Sequence, residues 1–271
     1  MSSWVRALRW RILLTTEKSI STQNVFWANM AGYLGNYVLP ARAGELIRAA
    51  YVSKENHLSI SFSLATGLVE RFIDLVALVI LGSTTLAIAG ILSDPLQDAI
   101  KVMSAIAIFG IITLLVLPHI GGRLYKILTG LPALSESTKK KIGGLLEQFL
   151  RGVEVLHHPK RAVAFILLTS LIWFIDAIGI LILARALHLN FILIEAFLLL
   201  ATLGLSSAIP STPGYIGIYQ FAAVIALHPF GISNTSAVAF IIFLQIASIL
   251  IVAFWGGLAV WRSSSLAKTK P

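Results

Sequence analysis

Four stretches of this chain, roughly residues 60 to 92, 99 to 119, 162 to 187 and 236 to 261, stay apolar for longer than a soluble core element requires. A helix that crosses the hydrocarbon layer of a bilayer needs about 20 predominantly apolar residues, and each stretch supplies them. The remainder of the chain agrees, since 57% of its 271 residues are apolar and only 12% are charged, against about 25% charged in an average soluble domain. So little polar surface would not keep a soluble chain of this length dispersed. Lipid offers backbone groups no hydrogen bonds, so spanning segments must satisfy their own, which helices do. The expected fold is all-α, a polytopic integral membrane helical bundle forming a single transmembrane domain over residues 1–271.

The formal charge of +9 would suit a nucleic-acid partner if it lay on one face. Here the basic residues gather in short segments between apolar runs, which is the positive-inside pattern of a membrane protein, and no nucleic acid is expected. Residues 120 to 161 hold Arg123, Lys126, Lys139, Lys140, Lys141, Arg151, Lys160 and Arg161 against Glu136, Glu147 and Glu154, so this segment is expected to be cytoplasmic. The N-terminal cluster of Arg6, Arg9 and Arg11 and the tail with Arg262, Lys268 and Lys270 are expected on the same side, in a multi-pass protein of the cell membrane. Within 120–161, Ile142, Leu145, Leu146, Phe149, Leu150, Val153 and Leu156 recur at helical spacing. This predicts an amphipathic helix, lying on the membrane surface or packed on the bundle as a connector. The chain has no cysteine, which excludes disulfides, thiolate metal sites and cysteine nucleophiles. Residues 1 to 18 lack the apolar core of a cleavable signal peptide, so the first membrane segment is expected to remain.

Two further apolar regions, 24 to 52 and 191 to 229, are interrupted, the first at Leu39-Pro40 and the second at Ile209-Pro210 and Pro213-Gly214. They read as broken or re-entrant elements. Parity of the spans requires the first to dip in and return on the cytoplasmic face, and the second to return on the outer face or cross twice. Their interruptions echo one another, Leu39-Pro40-Ala41-Arg42-Ala43-Gly44 against Ile209-Pro210-Ser211-Thr212-Pro213-Gly214. Oppositely oriented broken segments of this kind are a sequence pointer to inverted repeats and to a binding site where they meet. The expected breaks are Pro40, Gly44, Pro210, Pro213, Gly214 and Gly217.

Ionisable residues inside hydrocarbon cost several kcal/mol and are functional candidates for that reason. Glu70, Arg71 and Asp74 interrupt the stretch 60 to 92; their spacing places them near one helical face, where the two carboxylates can neutralise the guanidinium. An ion-pair clamp that orients the helix would use the same residues. Arg42, Glu45 and Arg48 follow the first break at helical spacing. A Pro/Gly turn, a helix N-terminus and guanidinium forks together suit a phosphate group, while an ordinary cytoplasmic anchor would also place arginines there. Asp176 and Glu195 are isolated candidates for a partner charge or proton site, and Tyr219, Gln220 and Gln245 are candidates for hydrogen bonds across helices. No nucleophile elbow, zinc-protease helix, P-loop or dinucleotide fingerprint is present, and the histidines lack metal-ligand spacing, so no catalytic residue, metal or cofactor is expected.

The strings Asn36-Tyr-Val-Leu-Pro-Ala-Arg-Ala-Gly-Glu-Leu-Ile-Arg48, Val69-Glu-Arg-Phe-Ile-Asp74 and Ile209-Pro-Ser-Thr-Pro-Gly-Tyr-Ile-Gly-Ile-Tyr-Gln220 resemble the lysylphosphatidylglycerol synthase transmembrane, or flippase-like, family in content and order. The resemblance implies an all-helical domain that moves a phospholipid or a polyprenyl-linked lipid between leaflets, either fused to an aminoacyl-lipid synthase domain or standing alone. No part of this sequence corresponds to the synthase domain, so aminoacyl transfer is not expected. Carried over by position, Pro40, Arg42, Gly44, Glu45 and Arg48 match the first signature, Glu70, Arg71 and Asp74 the second, and Pro213, Gly214 and Gly217 the third. Tyr215 stands where the family often has glycine, and Gln220 where it often has an acid. The family usually carries one or two spans before the stretch Arg9-Trp10-Arg11-Ile12-Leu13-Leu14, so a shortened member or a start at an internal methionine is expected. The expected ligand is a membrane lipid, an anionic phospholipid or polyprenyl phosphate, bound at Arg42, Glu45, Arg48, Glu70, Arg71 and Asp74. Other readings are a membrane-embedded transferase on a lipid or polyprenyl phosphate, with Glu45, Glu70 or Asp74 as general base, and a non-catalytic partner subunit. A separate lipid-modifying enzyme or a second copy of the chain are the expected protein partners.

Overall fold

The computed structural model of the chain describes residues 1–15, 19–39, 42–90, 94–130, 135–154, 157–207 and 212–268. Among these, all regular structure is helical: α1 (Ser2–Leu14), α2 (Thr22–Val38), α3 (Gly44–Asn56), α4 (Ile60–Ile88), α5 (Asp94–Gly130), α6 (Glu136–Glu154), α7 (Pro159–Ala186), α8 (Leu193–Ser207), α9 (Ile218–Leu227) and α10 (Asn234–Lys268). The protein is an all-α helical bundle, as its apolar patterning predicts. The four long apolar stretches are the long helices α4, α5, α7 and α10. Among the described residues two helices are apolar and long enough to cross a membrane outright, Pro159–Ala186 and Asn234–Ser264 within α10. The 29 residues of α4 extend about 44 Å at 1.5 Å per residue, which also exceeds the hydrocarbon thickness. Large apolar side chains such as Phe109, Leu167 and Leu250 point outward from α5, α7 and α10, where lipid is their natural solvent.

Helix limits follow local chemistry. The Ser21 hydroxyl accepts from the backbone N–H of Gln23, and that of Ser59 from Phe62, which caps α2 and α4. Pro159 begins α7, where its missing N–H has no cost. Leu39 is extended at φ −103°, ψ 146°, as the residue before a proline must be, and this ends α2. The prolines of the two expected breaks, Pro40 and Pro210, lie outside the described residues, as does Leu156 of the expected amphipathic face.

The interrupted region 24–52 is a helical hairpin. Asn24 at the start of α2 donates to Asn56 at the end of α3 (3.2 Å), so the chain goes in along α2 and returns along α3. Glycines let the two backbones approach. A Cβ on Gly32 would lie 2.7 Å from the Cβ of Arg48, and one on Gly35 would lie 2.9 Å from the Cα of Gly44. Gly32 and Gly35 therefore serve contact within the hairpin. The second interrupted region is a helical pair too: α8 packs on α9 across a turn that includes a short 3-10 segment, Pro213–Tyr215.

Each hairpin is followed by a long helix, and the packing is reciprocal. Helix α2 of the first hairpin packs on α10, and α8 of the second packs on α4. Both crossings close on a glycine: a Cβ on Gly256 would sit 2.6 Å from that of Leu34, and one on Gly204 would sit 2.6 Å from Leu78 Cδ1. Two apolar cores result. One gathers Trp10, Val25, Phe62 and Phe165; the other gathers Ile180, Leu199, Ala223 and Phe240. Helix α6 is a connector packed on α4 and α5 rather than a free surface helix. Gly152 faces Val69 and Thr66 of α4, and Val153 is buried.

Candidate functional site

Helix α4 brings Glu70 and Asp74 to one face, one turn apart, and burial in an apolar bundle obliges both to find cations. The structure supplies them from three elements. Arg9 of α1 grips Asp74 with two nitrogens (2.6 and 2.9 Å) and Glu70 with one of them (3.0 Å). Arg48 of α3 donates to the other oxygen of Glu70 (2.9 Å) and pairs with Glu45 (2.9 Å). Arg71 completes the circuit, reaching Glu45 at 3.0 Å and Asp74 at 3.5 Å. Three guanidiniums and three carboxylates thus alternate in a closed ring, which joins α1, α3 and α4. Arg9, Arg48 and Glu70 are almost fully buried. Arg48 also lies 4.1 Å over the indole of Trp10, and Arg9 5.2 Å over the ring of Phe165.

This arrangement differs from the sequence expectation in one pairing. Glu70 and Asp74 do not both neutralise Arg71, because Arg71 points about 100° round the helix from Glu70. It takes Glu45 from α3 instead, and Glu70 takes Arg9 and Arg48. Arg9 was read as a positive-inside anchor, as was Arg6, yet Arg6 is spent on Asp176 of α7 at 2.6 Å. Met1 lies at the exposed edge of a cavity. Arg6 and Arg9 of the basic cluster are thus held by carboxylates, while Arg11 donates to the hydroxyl of Thr22 (3.2 Å).

Beside the ring lies a cavity of about 700 Å³, bounded by α1, α2, α4, α7, α8 and α10 and by both hairpin turns. Its walls are mostly apolar, with Arg42, Tyr37, Tyr215, Tyr219, Ser207 and Asn36 as the polar groups near the turns. Of the six expected binding residues, Arg42, Arg71 and Asp74 line it, while Glu45, Arg48 and Glu70 stand behind them in the ring. The two hairpin turns meet here. Arg42 donates to the hydroxyl of Ser207 (3.4 Å), and Tyr37 meets Tyr215 edge to face with centroids 6.4 Å apart. Among the described residues Arg42 makes no ion pair, and its buried Nε has no hydrogen-bond partner; neither has Asn36 Oδ1. Unsatisfied buried donors and acceptors on a cavity wall are where a polar ligand gains most. Among the described residues, no three His, Asp or Glu side chains are arranged to hold a metal.

The second turn is held by neutral groups. Gln220 accepts from the N–H of Gly217 (2.7 Å) and donates to Gln245 (2.6 Å), which in turn donates to the carbonyl of Gly214 (3.0 Å). Gly214 and Gly217 have φ of 70° and 90°, and Tyr215 between them is also left-handed at φ 60°. That torsion explains a glycine preference at this position; here stacking of Tyr215 on Tyr219, centroids 4.8 Å apart, offsets the strain. Arg42 at the first turn is likewise left-handed, at φ 56°. Glu195 accepts from the N–H of Ile192 (2.6 Å) and so caps its own helix.

The lysylphosphatidylglycerol synthase TM region family matches residues 1–256. The UPF0104 membrane protein MJ1078 of Methanocaldococcus jannaschii is 27% identical over 224 residues, which cover 82% of this chain and 91% of that protein. Glycosyltransferase AglD of Haloferax volcanii is 24% identical over 260 residues; the match covers 81% of this chain but 40% of that protein. No solved structure matches the chain.

Proposed function

Because the chain belongs to the lysylphosphatidylglycerol synthase TM region family and is a membrane protein, we propose that it moves a phospholipid or polyprenyl-linked lipid between the leaflets of the cell membrane. The observation that carries this reading is Arg42: a guanidinium without an ion pair among the described residues, on an apolar cavity at the meeting point of two broken hairpins. A headgroup phosphate binds at Arg42, with the hydroxyls of Ser207 and Tyr219 as further donors, while acyl chains stay among the apolar walls and the surrounding lipid. The ring orients α1, α3 and α4 behind the site.

The reciprocal packing of hairpins and long helices supports two inverted repeats with the cavity between them. We place segment 120–161 and the end of α10 on the cytoplasmic side by their positive charge. The open end of the first hairpin then faces the same side, and α8 and α9 open to the other.

A transferase reading draws on the name of the Haloferax volcanii relative. The geometry counts against it, since Glu45, Glu70 and Asp74 are each held by two guanidiniums, which occupy the oxygens a general base would turn to its substrate.

Leaflet exchange of fluorescent lipids in liposomes containing purified protein tests the proposal. Arg42→Ala is expected to abolish exchange at unchanged melting temperature. Gly179→Trp is expected to do the same by filling the cavity, because a Cβ there meets nothing within 4 Å. Normal exchange in both variants would remove the cavity from the mechanism.

A further inference from the structure

A cavity walled largely by apolar side chains holds charge only when that charge is matched, because the surroundings cannot solvate the excess. The described side chains around this cavity can be matched one by one. Arg71 and Asp74 belong to the ring, in which three guanidiniums face three carboxylates. Arg6 faces Asp176 at 2.6 Å, and Met1, which bears the chain's amine, is 96% exposed at the mouth of the cavity, outside its apolar walls. Arg42 is left with a serine hydroxyl and no carboxylate. The undescribed residues of the two turns, 40–41 and 208–211, are Pro, Ala, Ile and Ser, so the turns add no side-chain charge.

We infer that the site selects a headgroup with a single negative charge, a lone phosphodiester, over diphosphate-linked and zwitterionic headgroups. This rests on the reading of the cavity as a headgroup site. A diphosphate would bring at least one negative charge beyond what Arg42 matches. The other cavity cations could answer it only by leaving carboxylates that would then be buried and unpaired. A zwitterionic headgroup has the converse difficulty: its phosphate finds Arg42, but its ammonium finds Asp74 and Asp176 already engaged. Selection therefore comes from penalties on the wrong charge as much as from attraction to the right one.

The ion pair of Arg6 and Asp176 makes the charge adjustable. Asp176→Asn keeps the shape of the side chain and releases Arg6, so the cavity gains one unmatched cation. Gly179→Lys adds a cation by another route, from a cavity-lining position open to a new side chain.

The test is calorimetric binding to purified protein in detergent, with dioctanoyl phosphatidylglycerol, dioctanoyl phosphatidylethanolamine, farnesyl diphosphate and chain-free glycerophosphoglycerol as probes. Phosphatidylglycerol is expected to bind at least about tenfold more tightly than the other three, a gap of about 1.4 kcal/mol. In Asp176→Asn and in Gly179→Lys, farnesyl diphosphate is expected to equal or overtake it. Tighter binding of farnesyl diphosphate by the unmodified protein, or an unchanged order in both variants, would overturn the charge match. Equal binding of glycerophosphoglycerol would show a site for soluble anions and overturn the lipid assignment. Binding in the expected order without leaflet exchange would leave the charge match standing and remove the transport reading; exchange without headgroup preference would do the reverse.

Discussion

The ring beneath the cavity and the turns that cap it both carry arginine into an apolar bundle, but they treat it oppositely. In the ring, Arg9, Arg48 and Arg71 each bridge two carboxylates, so every ring charge is matched by opposite charges. At the turns, Arg42 has one hydroxyl and, among the described residues, no ion pair. A matched charge fixes neighbours in place, whereas an unmatched one stores an interaction for something that is not part of the chain. Residue type alone does not distinguish the roles; partner count does.

The contrast breaks most severely at Arg9. Arg9→Ala leaves Glu70 with Arg48 and Asp74 with only the 3.5 Å contact to Arg71, so three carboxylates face two guanidiniums, and removing one partner of a buried pair costs about 3–5 kcal/mol. The expected result is loss of folded protein on gel filtration, or a melting temperature lowered by many degrees, where Arg42→Ala leaves it unchanged. Equal melting temperatures for the two variants would erase the distinction between ring and turn. A smaller effect is expected from Gly44→Ala, which leaves every charge in place. The added Cβ would lie 2.6 Å from the backbone nitrogen of Asn36, and forcing α2 and α3 apart costs about 1–3 kcal/mol. Because Arg42 sits two residues away, exchange should fall more than stability does. The smallest effect belongs to Tyr215→Gly. It relieves a left-handed torsion worth about 1–2 kcal/mol and forfeits aromatic contacts worth about 0.5–1.5 kcal/mol, so stability on thermal unfolding should change by no more than about 1.5 kcal/mol.

Much of this was legible in the sequence because lipid permits few solutions. Apolar length alone located α4, α5, α7 and α10, and Pro/Gly interruptions located both hairpins. The intramembrane charges Glu70, Arg71, Asp74 and the set Arg42, Glu45, Arg48 stood out against their surroundings. Arg6 and Arg9 did not, because they occur in a short, strongly basic segment that also fits a surface anchor. The usable signal was that Arg6, Arg9 and Leu13 share one helical face, which mixes charge with core. Which arginine would remain unmatched was beyond reach. The two flagged clusters contain as many arginines as carboxylates, so Arg42 could have been assigned a partner until Arg9 was seen to take its place.

The ring and the glutamine staple also divide the bundle into a stiff part and a compliant part. Sliding α1, α3 or α4 past one another means separating opposite charges inside an apolar medium, and the closed circuit leaves each separation opposed by a second pair. Around the other turn, Gln220, Gln245 and Gly214 are joined by neutral hydrogen bonds alone, which exchange at about 1 kcal/mol each. A change of shape that re-aims the cavity is therefore cheapest as a tilt of α9 and the start of α10 against an anchored first half. The anchored side carries the cation and Ser207, and the side held by neutral bonds carries the hydroxyl of Tyr219.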